Sequence, residues 1–157
     1  MKVTFVRDER DRIVVRRDDG SEVQWTFRSY GEGLPHDLVH LVVERHLGLS
    51  RGFWGLVALG IDFNQVNAAA SGQGDPSAET VADLGDLSQL MLAEMVSNLP
   101  FGQPSYEVAK ATNAAFNALP DDAVLDGIAA ELDTWRQKWV ALPPKGALQL
   151  EWQSPGS

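Results

Sequence analysis

The final repeating pattern in the chain restricts its fold more than any other feature. Leu148, Leu150 and Trp152 alternate with Gln149 and Glu151, the period-two signature of a strand with one buried face. A strand cannot pair its own backbone groups, so this one must join a sheet. Its partners stand at the other end of the chain. Val3 and Phe5 alternate with Lys2 and Thr4, and Ile13-Val14-Val15 is β-branched. Val23, Trp25 and Phe27 alternate with Gln24, Thr26 and Arg28. Arg7 to Arg12 reads as a charged turn, and Asp18-Asp19-Gly20-Ser21 as a hairpin turn. The expectation is an α+β fold with one antiparallel sheet of about four strands, three N-terminal and one C-terminal. Its buried face would carry Val3, Phe5, Val23, Trp25, Phe27, Leu148, Leu150 and Trp152.

Four to five helices between these strands are expected to cover that face. The first spans Leu34 to Gly48. Ser50 is placed to cap a second, Arg51 to Ile61, where Gly52 and Gly55 permit close backbone approach. Residues 68–85 are small, polar and glycine-rich, a long surface loop or a lid. Asp86 and Gln89 resemble a capping box ahead of Leu87, Leu90, Met91 and Met95. Ser105 to Leu119 is alanine-rich. In the last helix Leu125, Ile128, Leu132, Trp135, Trp139 and Leu142 step by three and four, a stripe expected to lie on the sheet. Residues 1–153 read as a single domain, with 154–157 a frayed tail.

All three histidines fall in Leu34–Gly48. At about 100° per residue, His36, His40, Glu44 and Asp37 share one arc of roughly a quarter turn. Leu38, Val39, Leu41, Val42 and Val43 fill most of the remainder. Such a helix is largely buried, and its polar arc opens on a cleft or on other buried polar groups. Pro35 suits the first helical position and Gly48 the exit.

Imidazole and carboxylate groups are ligands for zinc and other divalent metals. The i, i+4 histidine pair is the spacing of helical metalloprotease sites, with Asp37 where those sites have Glu. His36 and Glu44 lie about 12 Å apart along the axis. A site would therefore use His36 and His40 with a carboxylate from elsewhere, such as Asp62. Asp37 or Glu44 would act as catalytic base or as a supporting carboxylate. Two alternatives stand beside this. The histidines can be hydrogen-bonded structural residues, or a His–Asp or His–Glu pair can perform metal-free acid–base chemistry. Glu44 taken alone reads as a solvated helix charge.

The segment Leu34 to Glu44, followed by Arg51-Gly52-Phe53-Trp54-Gly55, resembles a family of small bacterial proteins of unknown function. It covers about a fifth of the chain and implies no activity. The His-Asp-x-x-His core is also similar to the zinc motif of a ubiquinone-biosynthesis family. That family has a Glu twelve residues after the second His, where this chain has Gly52, so its function is not carried over.

Composition narrows the remaining classes. The net charge is −9, although residues 1–28 hold seven of the thirteen basic residues against six acids. So acidic a surface repels nucleic acid and anionic membrane. No apolar run reaches the ~18 residues of a membrane span. The chain has no cysteine, which fits a reducing, cytoplasmic setting. Charges at Arg7 and Asp8 interrupt any signal-peptide pattern. Two functions follow as expectations: a small divalent-metal-binding protein, or a non-catalytic module presenting an acidic helical surface to a protein partner. Phosphate loops, nucleotide fingerprints and nucleophile elbows are not found in the sequence.

Overall fold

The computed structural model describes residues 1–28, 33–61, 93, 96, 97 and 121–154. Four strands, β1 (Lys2–Val6), β2 (Arg10–Arg16), β3 (Glu22–Arg28) and β4 (Ala147–Glu151), form one antiparallel sheet in the order β3-β2-β1-β4. Three helices, α1 (His36–Leu47), α2 (Phe53–Ala58) and α3 (Asp122–Val140), are delimited among the described residues. This is the expected α+β sheet, but not the expected four to five helices. The segments after Asp86 and after Ser105 lie outside the described residues, apart from Ala93, Val96 and Ser97, which are helical. Residues 68–85 lie outside them too.

The C-terminal strand pairs with β1, as its alternation requires. Val3 faces Leu150 and Phe5 faces Leu148 across the β1–β4 ladder. The amide of Trp152 donates to the Met1 carbonyl at 2.9 Å. Val3, Phe5, Ile13, Val15, Leu148, Leu150 and Trp152 are buried on the inner face, and Val23 and Trp25 pack against them. The hairpin turn forms as read. Gly20 takes a φ of 87°, and Asp19 Oδ1 accepts from the Ser21 amide at 2.8 Å.

β2 is longer than its β-branched core suggests. Arg10, Asp11 and Arg12 belong to the strand, not to a turn, because β3 supplies partners for all three and β1 for Arg12. Its charged side chains are tolerated because Arg10 and Arg12 project outward. Asp11 instead turns inward and is fully buried. Its Oδ1 accepts the Asp8 amide at 3.2 Å.

α1 is buried at Leu38, His40, Leu41, Val42, Val43 and Glu44. Pro35 is its N-cap residue and not its first helical one. Gly48 ends it at φ 65°, the left-handed conformation that favours glycine. α3 is capped by Asp121, whose carboxylate accepts from the Val124 amide. Its stripe of Leu125, Ile128, Leu132 and Trp139 packs chiefly on α1, with a smaller contact to β4. The expected contact with the sheet is thus present but is made to β4, beside the larger contact with α1.

Glu131 binds the two long helices together. Its carboxylate accepts from Arg45 Nη2 at 2.5 Å and from Trp135 Nε1 at 3.0 Å, with His46 Nε2 at 3.1 Å. Partial burial disfavours its ionised form. The Trp135 indole, Arg45 and His46 outweigh that cost and hold the carboxyl below its usual value.

Two predictions follow from this packing. β4 brings three buried side chains of about 1.5–3 kcal/mol each, against a typical total stability of ~5–15 kcal/mol. A chain truncated after Pro144 is expected to lose its cooperative thermal transition; a melt like that of the full chain would reject the four-stranded sheet. A carboxyl whose folded pKa is depressed stabilises the fold above its unfolded pKa, and that contribution is lost as pH falls through the folded value. Stability should therefore decline as pH drops below 4.5. Glu131→Gln should flatten that acid limb in urea titrations, whereas an unaltered limb would show that Glu131 is not a clamp.

Candidate functional site

The polar arc of α1 deepens toward the helix C-terminus. His36 and Asp37 are half-buried, His40 is buried and Glu44 is fully buried. The reading of Glu44 as a solvated charge is therefore overturned. It faces the start of α2, where Gly52 is the N-cap and supplies no capping side chain. Glu44 Oε1 accepts the Trp54 amide at 3.1 Å, so a carboxylate from α1 caps α2 in place of the expected Ser50. Gly52 is required here for space. A Cβ at this position would collide with the Glu44 carboxyl group. A Cβ on Gly55 would collide with the Ser50 carbonyl. The two glycines thus provide the close approach that their spacing suggested.

Burial pushes the Glu44 carboxyl up from its ordinary value. Contact with His40 and the bond from Trp54 pull it down without cancelling that effect. The second oxygen, Oε2, accepts no hydrogen bond among the described residues. It stands 3.4 Å from His40 Nδ1, just beyond the ordinary N–H···O range of about 2.7–3.2 Å. On the far side of the same ring, His40 Nε2 lies 3.1 Å from His36 Nε2. The ring centroids are 4.7 Å apart and steeply inclined. Glu44, His40 and His36 thus form a file from the core outward. Which Nε2 donates to the other depends on the tautomers of the two rings; a proton on His40 Nδ1 would face Glu44 and leave His40 Nε2 an acceptor.

Asp37 is engaged elsewhere. Its Oδ2 accepts from the Trp25 indole at 3.1 Å, and its carbonyl accepts from Trp54 Nε1 at 2.9 Å. The two indoles stack with centroids 5.9 Å apart. Phe53 meets Trp54 edge-on at 5.1 Å and lies 6.3 Å from the His40 ring. Phe53, with Trp54 and Trp25 behind it, thus forms an aromatic wall beside His40. Sequence reasoning missed both indole bonds to Asp37 and the capping role of Glu44. The pairing of Gly52 with an adjacent aromatic run was the one available signal. His46 points away, to Glu131. Asp62 lies outside the described residues, among which no group of three or more His, Asp or Glu is disposed to hold a metal ion.

No family model, curated protein or solved structure matches the chain. The site therefore stands on its own geometry.

The link between Glu44 and Gly52 is testable by a double-mutant cycle. Gly52→Ala should cost about 1–3 kcal/mol, the usual penalty for overpacking. In a Glu44→Ala background the same change should cost clearly less, since neighbouring sites are not additive. Equal urea-denaturation penalties in the two backgrounds would show that the carboxyl does not occupy that space.

Proposed function

We propose that the chain binds a divalent metal ion, such as zinc, through Nε2 of His36 and His40, with Glu44 orienting His40. The observation that carries this reading is the 3.1 Å separation of the two Nε2 atoms. At that separation both nitrogens can lie about 2.0–2.1 Å from one ion, with an angle of roughly 100° between them. A metal-ligating histidine commonly gives its other ring N–H to a carboxylate, which sets the tautomer and strengthens the donor. Glu44 stands where that carboxylate belongs. The bound ion would act as a Lewis acid toward water or a substrate oxygen.

Calorimetric titration with zinc, manganese and nickel tests the proposal. Wild type should take up one ion per chain, and His36→Ala or His40→Ala should abolish saturable binding. His46→Ala should bind as wild type does. Glu44→Gln keeps an acceptor for the Trp54 amide and should weaken affinity by about 10–100-fold. Binding should fade as pH drops through the histidine range near ~6.5, because the ligands must lose their protons. Equal, weak heats from wild type and His40→Ala would reject the metal site and leave the histidines as a proton-sharing pair.

A further inference from the structure

The outer face of the sheet carries charge of the opposite sign to the protein as a whole. Lys2, Arg10, Arg12 and Arg16 are exposed on it, with the carboxylates of Glu22 and Glu151. Among the described side chains that project from the strands on this face, four cations stand against two carboxylates, on a chain whose net charge is −9; the exposed Asp8 and Glu9 lie past the strand ends in the β1–β2 turn. In sequence these cations are interleaved with acids, which made the segment look neutral. Folding separates them. Asp11 is buried on the inner face, Asp18 pairs with the N-terminal ammonium at 2.8 Å, and Asp19 is held in the hairpin turn by Ser21. Two other arginines also leave the face. Arg7 Nη1 donates to the carbonyls of Trp139 and Val140 at the end of α3, and Arg17 Nε donates to the Val57 carbonyl at the end of α2.

We propose that this face docks an acidic protein segment lying extended along β1 and β2. Three observations select that occupant. First, the face holds a shallow depression of about 280 Å³ lined by Lys2, Thr4, Val14, Arg16, Glu22 and Gln149. An ammonium, a guanidinium, a hydroxyl and an amide line it beside the single carboxylate of Glu22, so cationic and neutral donors for a carboxylate outnumber the one acidic group. Arg16 keeps only a long ion pair to Glu22, at 3.4 Å, and its side chain is 70% exposed.

Second, the cations run along the strands while carboxylates close the edges. Arg16 stands opposite Glu22 on β3, and Lys2 opposite Glu151 on β4. A polyanion crossing the sheet at that level meets a carboxylate at each edge. A segment running along β1 and β2 meets Lys2 and Arg16, then Arg12 and Arg10. Alternate side chains of an extended segment are about 6.6–6.8 Å apart, the spacing of Arg10 and Arg12 along β2. Neither arginine has an ion-pair partner among the described residues.

Third, nucleic acid fits less well. No described side chain on this face is aromatic, so no base-stacking platform is present. A long phosphate backbone would also run beyond the patch onto a strongly acidic molecule. A short acidic segment confined to the sheet avoids both costs. The proposal does not depend on the metal site.

Fluorescence anisotropy with a labelled peptide of alternating Glu and Ser tests it, beside a labelled oligothymidylate. The full chain should bind the peptide, with affinity falling as salt rises. Arg12→Glu/Arg16→Glu should weaken binding by about tenfold or more, since charges of both signs now oppose it. The charge-matched pair Arg136→Glu/Lys138→Glu on α3 should leave it unchanged. All four positions are exposed, so both double variants should keep a cooperative melt, with a small loss where Arg16→Glu faces Glu22. Absence of peptide binding, equal loss in both double variants, or tighter binding of the oligothymidylate would each overturn the proposal.

Discussion

Everything described in this fold depends on the central position of β1. It pairs with β2 on one side and β4 on the other, so the two ends of the chain share one set of backbone hydrogen bonds. The Met1 ammonium donates to the Trp152 carbonyl, and the Trp152 amide donates to the Met1 carbonyl. That closure brings Val3, Phe5, Leu148 and Leu150 onto one face. The apolar surface they present is what α1 and α2 must cover, and the helices are held in place by it. Burial of such side chains, at about 25 cal/mol per Å² of apolar surface, offsets the entropy of closing so long a loop, which grows only slowly with length.

Covering the sheet forces a carboxylate inward. Glu44 lies on the side of α1 that meets α2, and a buried acid must find donors or lose its charge. The solution joins local and tertiary chemistry. α2 begins at a glycine that offers no capping side chain, and Glu44 supplies the acceptor. The same carboxyl group faces His40, so the start of α2, the aromatic wall and the histidine pair share one anchor. Burial raises the energy of the ionised Glu44, and a cation placed beyond His40 would lower it. The metal reading and the capping role are therefore compatible uses of one residue.

The sheet's two faces show how strand geometry sorts charge. Side chains on a strand alternate between faces, so a near-neutral run of residues can give a cationic surface above and a buried acid below. β2 does this with Arg10, Asp11 and Arg12. The arginines that would enlarge the outer patch, Arg7 and Arg17, instead satisfy carbonyls at helix ends. Their guanidinium groups add to the local backbone caps at the C-terminal ends of α3 and α2.

Periodicity alone determined much of this protein. The alternation in β1, β3 and β4, the three-and-four stripe of α3 and the turn at Asp18–Ser21 are local signals, and each element formed where its signal lay. The helical arc of His36, His40 and Glu44 was equally legible, because i, i+4 spacing places side chains on one face of any helix. What the sequence could not carry was the identity of the partners. The extension of β2 through Arg10–Arg12 needed β3 beside it. The burial of Glu44 needed α2 packed against α1, and the bonds from Trp25 and Trp54 to Asp37 needed a strand and two helices to meet. The inward turn of Asp11 depended on strand phase, which a charged run hides. Local pattern sets which face of an element a residue occupies; only tertiary packing decides what that face meets, because burial, capping and ion pairing are properties of contacts between distant segments.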